Sequence, residues 1–180
     1  MIKSLILILS ISLLSDGILE AAEINGPDVS CVEAEARVGL TVEVDDEFVQ
    51  QIKKGFQKEF TIYVDLFRRW DVWPDEFIRG VKIIRTIKAD TVKGEYKAAS
   101  FDGATIIDKR FATFEQMMQW ALTVKDVRIP MSDIVDRESH FIRVTVESRK
   151  QNLPRMIGYI LFFTDSRDFK VFKDSAPFKK

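Results

Sequence analysis

The sequence predicts a mainly β protein in which antiparallel sheets pack face to face and one or two short helices cover part of the core. Apolar and polar residues alternate along several segments, which is the period of a strand with one buried face. Only two segments show the spacing of an amphipathic helix, too few to cover both faces of a parallel sheet. Turn signals separate neighbouring strands, as in hairpins.

Composition places the 180-residue chain among soluble globular proteins. Hydrophobic residues make up 46% and charged residues 31%, which argues against disorder, and fourteen Phe against eight Gly and five Pro indicate a core with much aromatic bulk. The formal charge is -1 with both signs spread along the chain, so no nucleic-acid partner is predicted. Cys31 is the only cysteine and cannot form an internal disulfide.

Residues 1–22 have the order of a secretory signal peptide. Lys3 precedes an apolar run from Leu5 to Leu14, and small residues follow at positions 15, 17, 21 and 22. A helix that crosses a bilayer needs about 20 apolar residues, so we expect cleavage and a periplasmic or secreted location. An uncleaved N-terminus that anchors the protein in a membrane stays open as an alternative, because the small residues do not form an ideal cleavage site.

The rest of the chain is predicted to hold one domain. Residues 23–37 carry a Gly-Pro turn and little periodicity, so they are expected to form an N-terminal lead. Residues 38–175 are expected to form the β-rich domain, and residues 176–180 a tail.

The first strand and the first helix directly follow the lead. Apolar residues alternate from Val38 to Val44, and Asp45 or Asp46 is the predicted N-cap of a short helix that Gly55 ends. The clearest strand follows in the stretch "FQKEFTIYVDLFRRW", where one parity is apolar. Its predicted buried row consists of Phe56, Phe60, Ile62, Val64 and Leu66.

A hairpin, a second helix and further strands complete the predicted domain. Residues 81–89 and 95–98 alternate on either side of a polar turn, and a short strand follows the turn at Asp102 and Gly103. Thr113 and Gln116 are spaced as a capping box that starts the second helix. Beyond the helix lie an extended piece around Pro130, an alternating strand at residues 140–146, and a tail that is apolar at residues 156–163 and 169–172.

Packing of these elements follows from their apolar rows. We expect the row of residues 56–66 to meet the rows of residues 81–89 and 140–146 across a sandwich core. Residues 156–163 are too few to cross a bilayer, so we expect them to cover an open face of a sheet. The predicted architecture is immunoglobulin-like or C2-like in its general form.

Five stretches, "FTIYVDLFRRWDVW", "IRTIKADTVKGEY", "FATFEQMMQWALTV", "FIRVTVESRKQNLP" and "FFTDSRDFKVF", extend in this order over about residues 38–172. In order and spacing they resemble the exported bacterial family called domain of unknown function 4390. The resemblance implies a β-rich fold, an envelope location and no particular activity. It also implies an accessory role in envelope sensing, because in some bacteria members are encoded near nitrogen-type sensor kinases. This chain departs from the family in its longer loop "WDVWPDEF".

Catalytic groups are scarce in the sequence. His140 is the only histidine, so a histidine-based triad or a site with several histidine ligands cannot form within one chain. It begins a strand on the apolar parity, and we expect a structural imidazole whose hydrogen bonds are satisfied. No phosphate-binding or nucleophile-elbow motif is present. The sequence therefore predicts a protein that is not an enzyme and that holds no cofactor and no metal.

The loop "WDVWPDEF" holds the candidate binding residues, which are Trp70, Trp73, Asp75 and Phe77. In one interpretation its aromatic side chains plug an end of the sandwich while the acids face water. In the other they form a platform for a carbohydrate or a lipid, with Asp75 or Glu76 as an acid. A denser group of basic residues lies nearby and is predicted to be a solvated face that discourages aggregation. Its members are Arg68, Arg69, Arg79, Lys82, Arg85 and Lys88.

These observations favour an exported, non-enzymatic domain that binds a protein partner of the envelope or assists envelope sensing. A carbohydrate- or lipid-binding protein that uses residues 70–77 is the first alternative. A structural component anchored in the membrane by an uncleaved N-terminus is the second.

Overall fold

The computed structural model describes residues 21–132, 134, 138–150 and 167–179. Its strands are β1 (Ala22–Val32), β2 (Glu35–Val44), β3 (Lys58–Arg68), β4 (Glu76–Asp90), β5 (Glu95–Phe101), β6 (Ile106–Phe111), β7 (Thr123–Pro130), β8 (His140–Lys150) and β9 (Arg167–Asp174). Its helices are α1 (Asp46–Lys53) and α2 (Phe114–Leu122).

The strands form two antiparallel sheets that share one hydrophobic core. One sheet has three strands in the order β1-β2-β7, and the other has six in the order β6-β5-β4-β3-β8-β9. Buried residues of both sheets and both helices belong to a single cluster. The prediction of a mainly β, antiparallel sandwich with one or two short helices is therefore confirmed.

Strand β3 lies in the middle of the larger sheet and has the predicted buried row. Phe60, Ile62, Val64 and Leu66 are at most 1% exposed. Phe56 is an exception, because it precedes the strand and is exposed. The two-residue period thus identifies the core face of β3.

The prediction that this row meets residues 81–89 and 140–146 across the core is wrong. Strands β4 and β8 pair with β3 on either side, so the three rows lie next to one another on one face of one sheet. The three-stranded sheet supplies the opposite layer, with Val38, Leu40 and Ile129 fully or almost fully buried. Alternation shows which face of a strand is buried, but it does not show which strand is its neighbour.

Two segments at the ends of the predicted domain belong to the fold. Residues 22–32 form β1, which pairs with β2 along its length, so the expectation of a lead without structure is wrong. A register shift between Asn25 and Asp28 interrupts the alternation there and hides the strand in the sequence. In the predicted tail, Phe178 exchanges two backbone hydrogen bonds with His140, at 2.9 and 2.8 Å.

Both helices begin where the sequence predicts. Asp45 Oδ1 accepts a hydrogen bond from the Phe48 backbone N–H at 2.7 Å, and Gly55 follows α1 with a φ of +91°. Thr113 Oγ1 accepts from the Gln116 N–H at 3.2 Å at the start of α2.

Arg85 departs from the predicted solvated basic face. It shares the parity of the buried Ile83 and Ile87 and points toward α2. Its Nη1 donates to the carbonyl oxygens of Trp120, Ala121 and Thr123 at 2.6, 3.1 and 2.7 Å. Burial lowers the pKa of Arg85 to about 10, so the guanidinium remains charged at neutral pH.

Two predictions fall outside the described residues, namely the signal peptide over nearly all of its length and the packing of residues 156–163. Neither helix in the described part of the chain has the length and hydropathy that a membrane crossing requires.

Candidate functional site

The six-stranded sheet has an outer face, which is turned away from the three-stranded sheet. On β3 this face carries residues of odd number, such as Tyr63, Asp65 and Phe67, which are half-buried. Cross-strand pairing places Phe141 of β8 beside Phe67 and Arg143 beside Asp65. The outer face therefore combines aromatic rings with paired charges.

Four phenylalanine rings on the outer face, together with one arginine, form a group that we call the phenylalanine cluster. Phe67 stacks on Phe141 with ring centroids 5.4 Å apart and meets the edge of Phe77 at 5.7 Å. The Arg143 guanidinium carbon lies 5.2, 5.5 and 5.5 Å from the ring centroids of Phe67, Phe141 and Phe172. Such contacts hold flat rings and a cation in fixed relative positions.

A charged row borders this cluster. Arg143 donates from Nε and Nη2 to the two carboxylate oxygens of Asp174, at 2.7 and 2.8 Å. Asp174 accordingly raises the pKa of Arg143. Asp65 lies across from Gly80, and a Cβ atom at position 80 would collide with the Asp65 carboxylate. Burial raises the pKa of Asp65, while Arg143 opposes this shift.

Residues 69–77, which we call the aromatic loop, connect β3 to the first residues of β4. Pro74 lies just before the first paired residue, Glu76. Proline has no N–H to donate to a strand ladder, so a position outside the paired strand suits it. The loop is exposed: Trp70 is 42%, Trp73 74% and Phe77 55% accessible. The interpretation of these aromatic side chains as a plug of the sandwich is therefore wrong. Binding by the predicted residues remains a prediction.

The candidate residues do not meet in one cleft. Trp70 Nε1 donates to Glu76 Oε2 at 3.3 Å, and the guanidinium carbon of Arg68 lies 5.3 Å from the Trp70 ring. Phe77 instead packs on the outer face as part of the phenylalanine cluster. Asp75 is exposed and close enough to Arg143 to contribute to its raised pKa. Among the described residues, none forms a hydrogen bond or a ring contact with the Trp73 indole, which extends into solvent.

His140 lies in the buried position that the sequence predicts. It is fully buried at the start of β8, and neither ring nitrogen makes a well-aligned hydrogen bond within the described segments. Burial lowers its pKa, while the nearby Glu138 opposes this shift. The prediction of a buried position is correct, and the prediction of satisfied hydrogen bonds stays a prediction.

The sequence analysis missed a buried ion pair near α1. Lys58 is fully buried, and its Nζ donates to Asp168 Oδ1 and to Gln51 Oε1, each at 2.7 Å. The same Nζ lies 4.6 Å from the centroid of the Phe48 ring. Burial lowers the pKa of Lys58, and Asp168 opposes this shift. The signal was available, because Lys58 has the same parity as Phe60 and thus faces the core.

Chemically, the arrangement around the aromatic loop offers exposed rings and fixed charges for contact with a ligand or partner. Within the ranges that the structure describes, no group of three or more His, Cys, Asp or Glu side chains is placed to hold a metal ion.

Comparison with known proteins connects this fold to a family. No curated protein and no solved structure matches the chain. One family does match, over residues 30–175, which is most of the chain. The match includes the aromatic loop and strands β2 to β9, and it begins within β1. The chain therefore belongs to the family described as a domain of unknown function (DUF4390).

Proposed function

We propose that this chain is an exported, non-enzymatic domain of the bacterial envelope that binds a protein partner through its aromatic loop. One observation carries the proposal: Trp70, Trp73 and Phe77 are exposed within eight consecutive positions of the chain. Val72, in the same loop, is 88% accessible.

Exposed aromatic side chains in such density are typical of a surface that a partner covers. Contiguous apolar patches on soluble proteins mark interaction sites, and tryptophan is enriched among the residues that contribute most to binding. Isolated exposed apolar residues need no such explanation, but this loop presents several together.

The loop is also held in place before any partner binds. Trp70 is fixed between Arg68 and Glu76, and Phe77 rests on Phe67. Arg68 is fixed in turn by an ion pair with Glu138 at 2.9 Å. Because such contacts restrict side-chain motion in the free protein, binding loses less conformational entropy.

The charges around the loop favour a protein over a polyanion. Arg68 lies beside it and Arg69 is its first residue, but Asp71, Asp75 and Glu76 also belong to it. A surface of mixed sign around an aromatic centre matches the polar rim of a protein interface. A polyanion would instead require an excess of cations.

Export is the second part of the proposal. The apolar run from Leu5 to Leu14 after Lys3 supports it, as does the family resemblance to exported proteins. The same resemblance supports an accessory role in envelope sensing.

Crosslinking and affinity purification of the tagged full chain from intact bacteria tests the proposal. A variant with Trp70→Ala and Trp73→Ala is compared with Phe56→Ala, which removes an exposed ring outside the loop. The proposal predicts that wild type and Phe56→Ala recover the same envelope protein and that the double variant loses it. Equal recovery by all three chains would contradict it.

A carbohydrate- or lipid-binding protein is the second candidate, favoured by the exposed Trp73 indole beside polar side chains. Fluorescence of the tryptophans, titrated with glycans and lipid vesicles, separates it from the first: a saturable change that Trp73→Ala abolishes supports it, and an unchanged spectrum contradicts it. A membrane-anchored structural role is the third candidate. The mass of the exported chain decides it, because retention of residues 1–22 is required for anchoring.

A further inference from the structure

Strand β6 is an uninterrupted edge of the six-stranded sheet. Its six residues pair with β5 without a register shift, and in the described part of the chain no strand pairs with its other side. In an antiparallel pair, alternate residues direct their N–H and C=O groups away from the partner. Half of the backbone groups of β6 are thus available to a further strand.

The other sheet edges are interrupted or covered among the described residues. Strand β1 has a register shift at Gly26 and Pro27, and β7 contains a shift near Asp126 and ends at Pro130. Strand β9 lies against β1, where Lys173 Nζ donates to the Ile24 carbonyl oxygen at 2.8 Å. These features prevent strand addition, and β6 has none of them.

The side chains of β6 are arranged by face. Asp108 and Arg110 point to the outer face. Asp108 pairs with Ala99 of β5, which pairs with Thr86 of β4, and Arg110 pairs with Lys97 of β5, which pairs with Lys88 of β4. Paired residues share a face of the sheet, and Thr86 and Lys88 lie on the outer one. Ile107, Lys109 and Phe111 point to the inner face, where Lys109 Nζ lies 5.3 Å from the Trp120 ring centroid.

We propose that two copies of this chain associate through β6, which adds antiparallel to β6 of the second copy and joins the two six-stranded sheets. The pairing places Lys109 opposite Lys109 of the second copy. A continuous sheet keeps outer residues opposite outer residues, so only residues of the same parity can face each other. The proposal is independent of the proposed function of the aromatic loop.

Charge complementarity selects this register. It places Asp108 of each copy opposite Arg110 of the other, which forms two pairs of opposite charge on the outer face. Shifting the centre to Asp108 would bring two Asp108 side chains together, and shifting it to Arg110 would bring two Arg110 side chains together. Both shifts place like charges opposite each other, which destabilises a sheet.

Apolar residues agree with the same register. Ile107, which is 45% accessible, comes opposite Phe111 of the second copy on the inner face. The two Lys109 side chains are the unfavourable pair, but each ammonium group lies against the Trp120 ring of its own chain. The contact of two short strands is small, so we expect a dissociation constant in roughly the micromolar range.

Charge reversal tests the pairing. In Asp108→Arg and in Arg110→Asp, two attractive pairs become two repulsive ones, so each single variant alone should weaken the dimer about tenfold or more. A mixture of the two variants restores both attractive pairs in a heterodimer. The control is Lys125→Asp, which reverses a charge on the edge strand β7.

Sedimentation velocity of the purified full chains, over roughly a hundredfold range of concentration, measures the association. The proposal predicts a wild-type and Lys125→Asp dimer, two single variants that are mainly monomeric, and a dimer in their mixture. Circular dichroism verifies that each variant is folded. A monomeric wild type, a dimer that withstands both single reversals, or a mixture that stays monomeric would each overturn the proposal.

Discussion

Replacing Arg85 by methionine removes the link between the larger sheet and the end of α2 while it keeps most of the side-chain volume. In the wild type, Nη1 donates to three carbonyl oxygens, two of them in the last turn of α2, and the guanidinium carbon lies 4.7 Å from the Trp120 ring centroid. Carbonyl groups at a helix end have no partner within the helix. In the variant they lose the partner that Arg85 provides.

The expected loss follows from these contacts. Nη1 has two hydrogens for three acceptors, so we count two hydrogen bonds from a charged donor, each worth about 1.5–3 kcal/mol. Removing a partly buried charge also removes its desolvation cost, which offsets part of this sum. We therefore expect Arg85→Met to lower the free energy of unfolding by about 2–4 kcal/mol. For a domain of this size the midpoint temperature should fall by roughly 5–15 °C.

Urea denaturation followed by tryptophan fluorescence measures this free energy. Lys82→Met is the matched control, because Lys82 lies on the same strand but is exposed on the outer face, and we expect it to change stability by less than about 0.5 kcal/mol. If Arg85→Met is as stable as this control, Arg85 does not hold α2 to the sheet.

Three further predictions concern other residues of the larger sheet and the strands beside it. The pKa of His140 is lowered in the folded chain, so the unfolded chain takes up the proton first as the pH falls below about 6.5, and the free energy of unfolding should decrease there. His140→Phe should make the free energy of unfolding depend less steeply on pH in this window. The same dependence in both chains would contradict the reasoning. Gly80→Ala should lower the free energy of unfolding by about 1–3 kcal/mol, because the added Cβ collides with Asp65. Asp65→Ala in the same chain should reduce this loss, which a double-mutant cycle measures. Asp168→Ala leaves the Lys58 ammonium with only one of its two partners and should lower the free energy of unfolding, measured by thermal unfolding, by about 3–5 kcal/mol. Replacing Lys58 by Met and Asp168 by Leu together should not cause this loss.

The sequence was most informative where one strand face is uniformly apolar. In β3 the alternation identifies the buried row from Phe60 to Leu66, and the capping residues Asp45 and Thr113 locate both helix starts. These signals are local, because they depend on the direction of side chains within one element. They do not show which strands pair. For that reason the sequence predicts β4 and β8 opposite β3, whereas they lie beside it in the same sheet.

The inward positions of Lys58, which the sequence analysis missed, and of Arg85, which it predicted to be solvated, have a common physical cause. Lys58 and Arg85 have the parity of core residues, but their charge suggests exposure. Each points toward the core because partners compensate the charge: Asp168 and Gln51 for Lys58, and the carbonyl groups of the α2 terminus for Arg85. Asp168 and the α2 carbonyl groups are distant in sequence, so only the folded chain shows them.

The aromatic loop was found from its composition, but its exposure could not be predicted. Trp and Phe at a loop occur both as plugs of a core and as contact surfaces, and hydrophobicity alone does not distinguish the two. The position of Pro74 before the first residue of β4 keeps Trp70 and Trp73 outside the paired strands.

Site-specific photo-crosslinking in living cells tests most directly whether the aromatic loop is a binding surface. A photoreactive amino acid replaces Trp73 in one chain and Phe56 in another, both of which are exposed positions. The account predicts a discrete crosslinked protein from position 73 and none from position 56. The same products from both positions, or none from position 73 in a folded and exported chain, would contradict it.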